Sequence, residues 1–190
     1  MKAEMALFAV ARLETFKRDP LARVTSNLGT ATGFFYRNTA GKVFLVTNKH
    51  VVYNKDKHYF PDRLRFYVHT DLYHLTKMKG IDLRLWGKDG KKLWKWVKYR
   101  PIDVAALEVP ADYLTDCFFT AFSKGDMFDA DAELLPGRDI ALGLQALVLG
   151  YPLGFYDKNT FLPMARAAIV ATWPWLNFEG TPCFLVDARL

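Results

Sequence analysis

Two residues that can act together in hydrolysis stand at the borders of apolar segments. His50 lies in residues 47–52 (TNKHVV), directly after an apolar segment, and Asp103 opens residues 103–107 (DVAAL). A histidine can serve as a general base because its unperturbed pKa, about 6.5, is close to working pH. A carboxylate can orient such a histidine and favour the imidazolium that forms. Either residue alone is more often structural, so the hypothesis depends on the elements that position the pair.

The residues before His50 predict a β-hairpin. Residues 29–36 (GTATGFFY) predict a strand that begins at a glycine, residues 38–41 (NTAG) predict a turn, and residues 42–47 (KVFLVT) predict the returning strand. The histidine would then stand at a strand end, where a rigid sheet can hold a functional side chain in place.

Short strands separated by turn signals continue along the chain, and helical periodicity is rare. The hydrophobic content of 51% is enough for a sizeable core. No internal repeat or low-complexity tract interrupts the pattern. We therefore predict an all-β fold with strands near residues 6–14, 29–37, 42–48, 63–70, 81–87, 92–99, 103–109, 146–149, 167–172 and 183–186.

The motifs and their order resemble the trypsin-like (chymotrypsin-fold) serine peptidases, in the bacterial HtrA-like branch. The hairpin is similar to the family's Gly-Thr/Ser-Gly-Phe strand and the Leu-Val/Ile-Thr-x-x-His-Val-Val segment that follows it. Residues 103–107 resemble the family's Asp-Ile/Val-Ala-x-Leu, and residues 148–154 (VLGYPLG) resemble its Gly-Tyr/Phe-Pro-x-Gly turn. The resemblance extends from residue 29 to about residue 172.

This resemblance implies two antiparallel β-barrels of the six-stranded type. Residues 1–112 would form the N-terminal barrel, and residues 113–190 would form a partial C-terminal barrel. By the same resemblance, His50 would be the general base, Asp103 would be the orienting acid, and a peptide or protein would be the substrate. No cofactor is implied.

The third member of such a site, a serine in a Gly-x-Ser-Gly setting, is absent from the 190 residues. The two serines, Ser26 and Ser123, lack flanking glycines. Residues 184–188 (FLVDA) look like the family's last strand before the nucleophile loop. We therefore expect that the chain is a truncated fragment, that its second barrel is incomplete, and that the serine and any further domains lie beyond Leu190. Residues 1–190 alone should be inactive.

The charge is uneven, and this leaves a second hypothesis open. The chain has a net charge of +6, and the excess of Lys and Arg is concentrated in residues 55–100. Within this region, residues 88–98 (KDGKKLWKWVK) predict a hairpin whose return strand alternates Trp with Lys, with one aromatic and one basic face. The alternative is therefore a non-catalytic trypsin-like module that binds nucleic acid or an acidic partner here. No nucleic-acid-binding motif accompanies the pattern.

Cysteine and histidine spacing indicates neither a disulfide framework nor a metal site. Cys117 and Cys183 lie far apart in predicted strands, which favours a reducing compartment and a buried structural thiol at Cys183 rather than a nucleophile. His69 and His74 are not expected to share a face.

The N-terminus lacks the features of a signal peptide, and no run of eighteen apolar residues occurs. We expect a cytoplasmic location and no membrane span in this chain.

Overall fold

The computed structural model describes residues 3–18, 25–98, 102–127 and 140–188. Most of the regular structure in these residues is β-sheet, and the predicted all-β class is confirmed. The strands are β1 Val10–Arg18, β2 Thr25–Arg37, β3 Val43–Thr47, β4 Arg63–His69, β5 Met78–Arg84, β6 Trp94–Trp96, β7 Ala105–Val109, β8 Gln145–Gly150, β9 Met164–Val170 and β10 Val186–Asp187. The α-helices are the four-residue α1 Ala3–Ala6 and α2 Lys49–Val52. The 3-10 turns are Leu7–Ala9, Ala111–Leu114, Lys124–Asp126 and Pro152–Gly154.

The first seven strands form one antiparallel sheet in the order β5-β4-β1-β2-β3-β7-β6. The sheet curls into a half-barrel, and the hairpin between β5 and β6 links its two edges. The Leu93 N–H donates to the Leu85 carbonyl at 3.0 Å, and the Gly87 N–H donates to the Lys91 carbonyl at 2.8 Å. The hairpin predicted from residues 88–98 is therefore present, with a shorter return strand.

Alternating side chains along the strands fill the core of this sheet. In β3, Val43, Leu45 and Thr47 are buried and the residues between them are partly exposed, as expected for a strand with one face turned inward. Gly33 is required where β2 crosses this core, because a Cβ atom there would lie 2.9 Å from Leu13 Cδ1. The largest fully buried side chains are Phe35, Phe66, Leu13, Leu45, Leu64, Leu85 and Leu107.

The last three strands form a second antiparallel sheet in the order β10-β9-β8. Three strands are too few to close a barrel, so among the described residues the second barrel is incomplete, as predicted. Apolar side chains remain exposed on it, including Leu147 and Ile169. The two sheets together are consistent with a pair of trypsin-like barrels of which the second is partial. The boundary at residues 112 and 113 stays a prediction.

Polar contacts join the second unit to the first sheet. The Tyr151 N–H donates to Thr32 Oγ1 at 3.0 Å, and His69 Nε2 lies 2.7 Å from the Thr160 carbonyl oxygen. Tyr151 is buried, and burial raises the pKa of its hydroxyl well above the usual range. The junction therefore holds Gly150 and the turn after it against β2.

Some predicted segments differ from the structure. The strand predicted near residues 183–186 is shorter and begins at Val186, as β10. The strand predicted over residues 6–14 begins only at Val10, because the Ala-, Met- and Glu-containing residues before it favour a helical turn. The strand predicted around Cys117 is absent: residues 117–122 form isolated bridges to the first sheet, in which Phe118 pairs with His69 and Phe122 pairs with Tyr36. No helix among the described residues has both the length and the apolar character needed to cross a membrane.

Candidate active site

The short helix α2 fixes His50 at the end of β3. Asn48 is still extended (φ −69°, ψ 143°), and the chain then turns through α2. Val51 and Val52 are 7% and 0% exposed, so they anchor this turn in the core. The His50 side chain is consequently on the outer side, with 57% of its surface exposed.

The strand pairing of β3 with β7 brings Asp103 beside this turn. Thr47 lies opposite Ala105, two residues beyond Asp103. The Asp103 carbonyl accepts hydrogen bonds from Asn48 Nδ2 at 3.0 Å and from the Lys49 N–H at 3.3 Å. The backbone at Asp103 is therefore tied to the residues that precede His50.

The Asp103 carboxylate contacts His50 through both of its oxygens. Oδ1 accepts a hydrogen bond from the His50 backbone N–H at 3.0 Å, and Oδ2 contacts Nδ1 of the imidazole. When Nδ1–H donates to a carboxylate, Nε2 is the nitrogen left to accept a proton. The structure thus brings together the two residues predicted from the sequence. Their catalytic roles stay a prediction.

An open cleft of about 640 Å³ lies beside His50. Apart from His50, its residues were not predicted from the sequence. Thr30 and Thr32 belong to the GTATG motif, and its repeated hydroxyls could have indicated that they line a cleft. Lys57 and Tyr59 lie in no motif that could have indicated this. The lining residues are Thr15, Thr30, Ala31, Thr32, Asn48, His50, Val51, Asn54, Lys57 and Tyr59.

The chain was also compared with known proteins. No protein-family model matches it, and no curated protein matches it. Among solved structures, it is similar to one described as HtrA-type protease AlgW with decapeptide. The two are 18% identical with a TM-score of 0.46, and the match covers 98% of this chain and 50% of that one. The present chain therefore spans half the length of that structure.

The serines and cysteines lie elsewhere in the structure. Ser26 is exposed on β2, and the Ser123 hydroxyl donates to Asp126 Oδ2 at 2.8 Å. Cys117 is half-buried, and burial raises the pKa of its thiol. Cys183 is exposed and outside any strand, so the prediction of a buried thiol in a strand is wrong for this residue.

His69 and His74, which are close in the sequence, lie in different environments. His69 is buried at the end of β4, and its Nε2 lies beside the Thr160 carbonyl. His74 is exposed, and its Nδ1 lies 2.7 Å from Asp71 Oδ2. Within the described ranges, no group of three His, Cys, Asp or Glu side chains converges in a way that could hold a metal ion.

The aromatic hairpin differs from its predicted arrangement of faces. Lys92 shares a face with Trp94 and Trp96, and its Nζ lies 4.9 and 4.3 Å from their ring centroids and 4.7 Å from that of Tyr53. The prediction of separate aromatic and basic faces is therefore wrong for Lys92. Trp94 is 2% exposed and belongs to the core. Neither the contacts nor the comparisons support the alternative of a nucleic-acid or acidic-partner module in this region.

Proposed function

We propose that this chain provides the general base and the orienting acid of a trypsin-like serine endopeptidase, whose serine nucleophile lies beyond Leu190. The observation that carries the proposal is the two-point contact of Asp103 with His50 at the edge of an open cleft. The motif resemblance around His50, Asp103 and residues 148–154 supports the same function.

In the proposed reaction, a peptide or protein substrate lies in the cleft beside His50. Nε2 of His50 takes the proton of the serine hydroxyl as that oxygen attacks the peptide carbonyl carbon, and it then gives the proton to the leaving amine. Asp103 holds the ring through Nδ1 and favours the imidazolium formed between these steps. The exposure of His50 and Asp103, at 57% and 45% of their side chains, leaves this edge accessible to substrate.

The nucleophile is assigned outside the 190 residues because neither serine of the chain suits the role. Ser26 and Ser123 have no flanking glycines, and neither lines the cleft.

A cytoplasmic location is part of the same proposal and rests on sequence features alone.

The experiment is a peptidase assay on the product of the whole reading frame that encodes this chain. We expect cleavage of an unstructured protein substrate, inactivation by a serine-directed phosphonate, and loss of cleavage in His50→Ala. His58→Ala is the matched control, because His58 is exposed and outside the cleft lining, and it should retain activity.

The same assay on residues 1–190 should show no turnover. Turnover by this chain at a rate comparable to that of the whole product would show that the nucleophile is misassigned, and Cys183 would be the first residue to substitute. An active His50→Ala variant of the whole product would contradict the proposed general base.

A further inference from the structure

The cleft beside His50 contains a lysine with no anionic partner. Lys57 is exposed and forms no ion pair with any described residue. Other exposed lysines do pair: Lys42 with Glu108, and Lys91 with Asp89. Among the described residues that line the cleft there is no carboxylate, and Asp103, which contacts the lining residue His50, is engaged with that residue through both of its oxygens. Lys57 is therefore the ammonium group of the described lining that is available to an anion.

A closed turn holds Lys57 at the cleft. Asn54 and Tyr59 exchange backbone hydrogen bonds of 2.9 and 2.8 Å, and Asn54 Oδ1 accepts the backbone N–H of Lys57 at 3.1 Å. Tyr59 also contacts Thr15 through its hydroxyl, which ties the turn to β1. The position of Lys57 is therefore set by the fold rather than by a free loop.

Neutral hydrogen-bond donors accompany the ammonium group. Because Asn54 uses its side-chain oxygen on the Lys57 backbone, its Nδ2 hydrogens remain for another acceptor. Thr30, another lining residue, adds a hydroxyl. An ammonium, an amide and a hydroxyl form the donor set that a carboxylate accepts from.

We infer that this cleft binds an acidic side chain of the peptide substrate, and that Lys57 determines this specificity. The inference rests on the proposed function for its biological meaning, but the binding itself requires only the residues of this chain. An ion pair at an exposed site raises affinity modestly, so the preference for Glu over Gln should be about two- to fivefold at low salt. Added salt should reduce it, because exposed charges are screened.

The first test measures binding without cleavage. Two blocked hexapeptides of alanine, one with a central Glu and one with a central Gln, are titrated into residues 1–190, and the shift of the His50 ring resonances is followed by NMR. Only four histidines are present, so His50 can be assigned by substitution. We expect the Glu peptide to bind about two- to fivefold more tightly.

Variants of Lys57 and of Lys95 distinguish the effect of the Lys57 charge on peptide binding from the effect of the net charge of the chain. Lys57→Gln should remove the preference, and Lys57→Glu should reverse it. Lys95→Gln removes an exposed lysine outside the cleft lining, so it should leave the preference unchanged. Equal binding of the two peptides, a preference that persists in Lys57→Gln, or no movement of the His50 resonances with either peptide would overturn the inference.

The second test separates the inference from the proposed function. The same pair of peptides is offered to the product of the whole reading frame, and cleavage is compared. A Glu preference in binding with no cleavage would refute the peptidase proposal and leave the acidic-ligand site standing. Cleavage of both peptides at equal rates, together with equal binding, would refute the acidic specificity and leave the peptidase proposal standing.

Discussion

Asp103 holds His50 at two points, since one carboxylate oxygen accepts the His50 backbone N–H at 3.0 Å and the other contacts the imidazole Nδ1. The backbone contact restrains the turn that carries the histidine, and the ring contact restrains the imidazole itself. A single side chain therefore couples the position of the residue to the orientation of its base. Replacing one oxygen by an amide nitrogen should disturb this relationship while keeping the size of the side chain.

Asp103→Asn in the product of the whole reading frame should lower kcat by about 10⁴-fold. The amide can present a donor to Nδ1, which favours the tautomer in which Nε2 already carries a proton. Peptide cleavage measures the effect, and the far-UV circular dichroism spectrum should be unchanged. Asp112→Asn, at an exposed acid in a 3-10 turn, is the control and should keep full activity. A reduction of less than tenfold in Asp103→Asn would contradict the orienting role.

Sequence alone could predict the part of this site that depends on neighbouring residues, which is the placement of His50 and Asp103 at strand ends. The alternation in β3 and β7 is a property of neighbouring residues, and the strand ends at His50 and near Asp103 follow from it. The cleft could not be predicted in this way, because it depends on contacts between distant residues such as Thr15 and Tyr59. Only the closure of the turn before Tyr59 brings Lys57 to the same cleft as His50.

The errors have a similar physical origin. An apolar run near the N-terminus does not distinguish a strand from a helical turn, and tertiary contacts decide between them. Thr120, for example, donates its hydroxyl to the Met5 carbonyl at 2.7 Å, a contact between residues that are far apart in the chain. Cys183 lies in an apolar segment that predicts burial, but the residue is exposed and lies outside the described strands.

The two cysteines should differ in reactivity. Cys183 is exposed, whereas Cys117 is half-buried and its thiol contacts the carbonyl oxygens of Tyr113 and Thr115. Burial raises the pKa of Cys117, so less of its reactive thiolate is present. Iodoacetamide at pH 8 should therefore modify Cys183 first, as followed by mass spectrometry of the tryptic peptides. Both thiols should react at similar rates in urea, and faster labelling of Cys117 in the native chain would contradict the structure.

Arg12→Met should destabilise the chain by about 3–5 kcal/mol. Arg12 pairs with Glu14, and the two side chains are 7% and 15% exposed. Burial raises the pKa of Glu14, but the hydrogen bonds from Arg12 and Tyr67 outweigh it and hold that pKa below its usual value. Without Arg12, a poorly solvated carboxylate loses its hydrogen-bonded counter-charge and keeps only the Tyr67 hydrogen bond and the charge of Arg65. The guanidinium also lies 4.2 Å from the ring centroid of Tyr156, so the variant should loosen that loop as well.

Urea unfolding measures this loss, with Lys42→Met as the matched control. Lys42 pairs with Glu108 at 2.7 Å, but both side chains are more than half exposed. Its removal should change the free energy of unfolding by about 0–1 kcal/mol. Equal losses in the two variants would mean that the Arg12 pair is as solvated as the surface pair.

His69 should make the chain less stable as the pH falls below about 6.5. The residue is 7% exposed, its Nε2 donates to the Thr160 carbonyl, and the ring of Phe8 packs edge-on at 5.4 Å. Burial lowers the pKa of His69 in the folded chain. His69 in the unfolded chain therefore binds a proton at a higher pH than His69 in the folded chain does. The contribution of neutral His69 to the stability of the fold is consequently complete at pH values above the unfolded pKa.

As the pH falls from about 6.5 toward the folded pKa of His69, its contribution to stability should decline by at most about 1.4 kcal/mol per pH unit. Urea unfolding at several pH values between 5 and 8 measures this slope. His69→Gln should flatten the slope in this window, whereas His58→Gln, at an exposed histidine, should leave it unchanged. Glu14 does not interfere, because its lowered pKa places its own transition at a more acidic pH. Stability that rises on acidification, or a slope that survives in His69→Gln, would show that the junction between the two sheets does not depend on neutral His69.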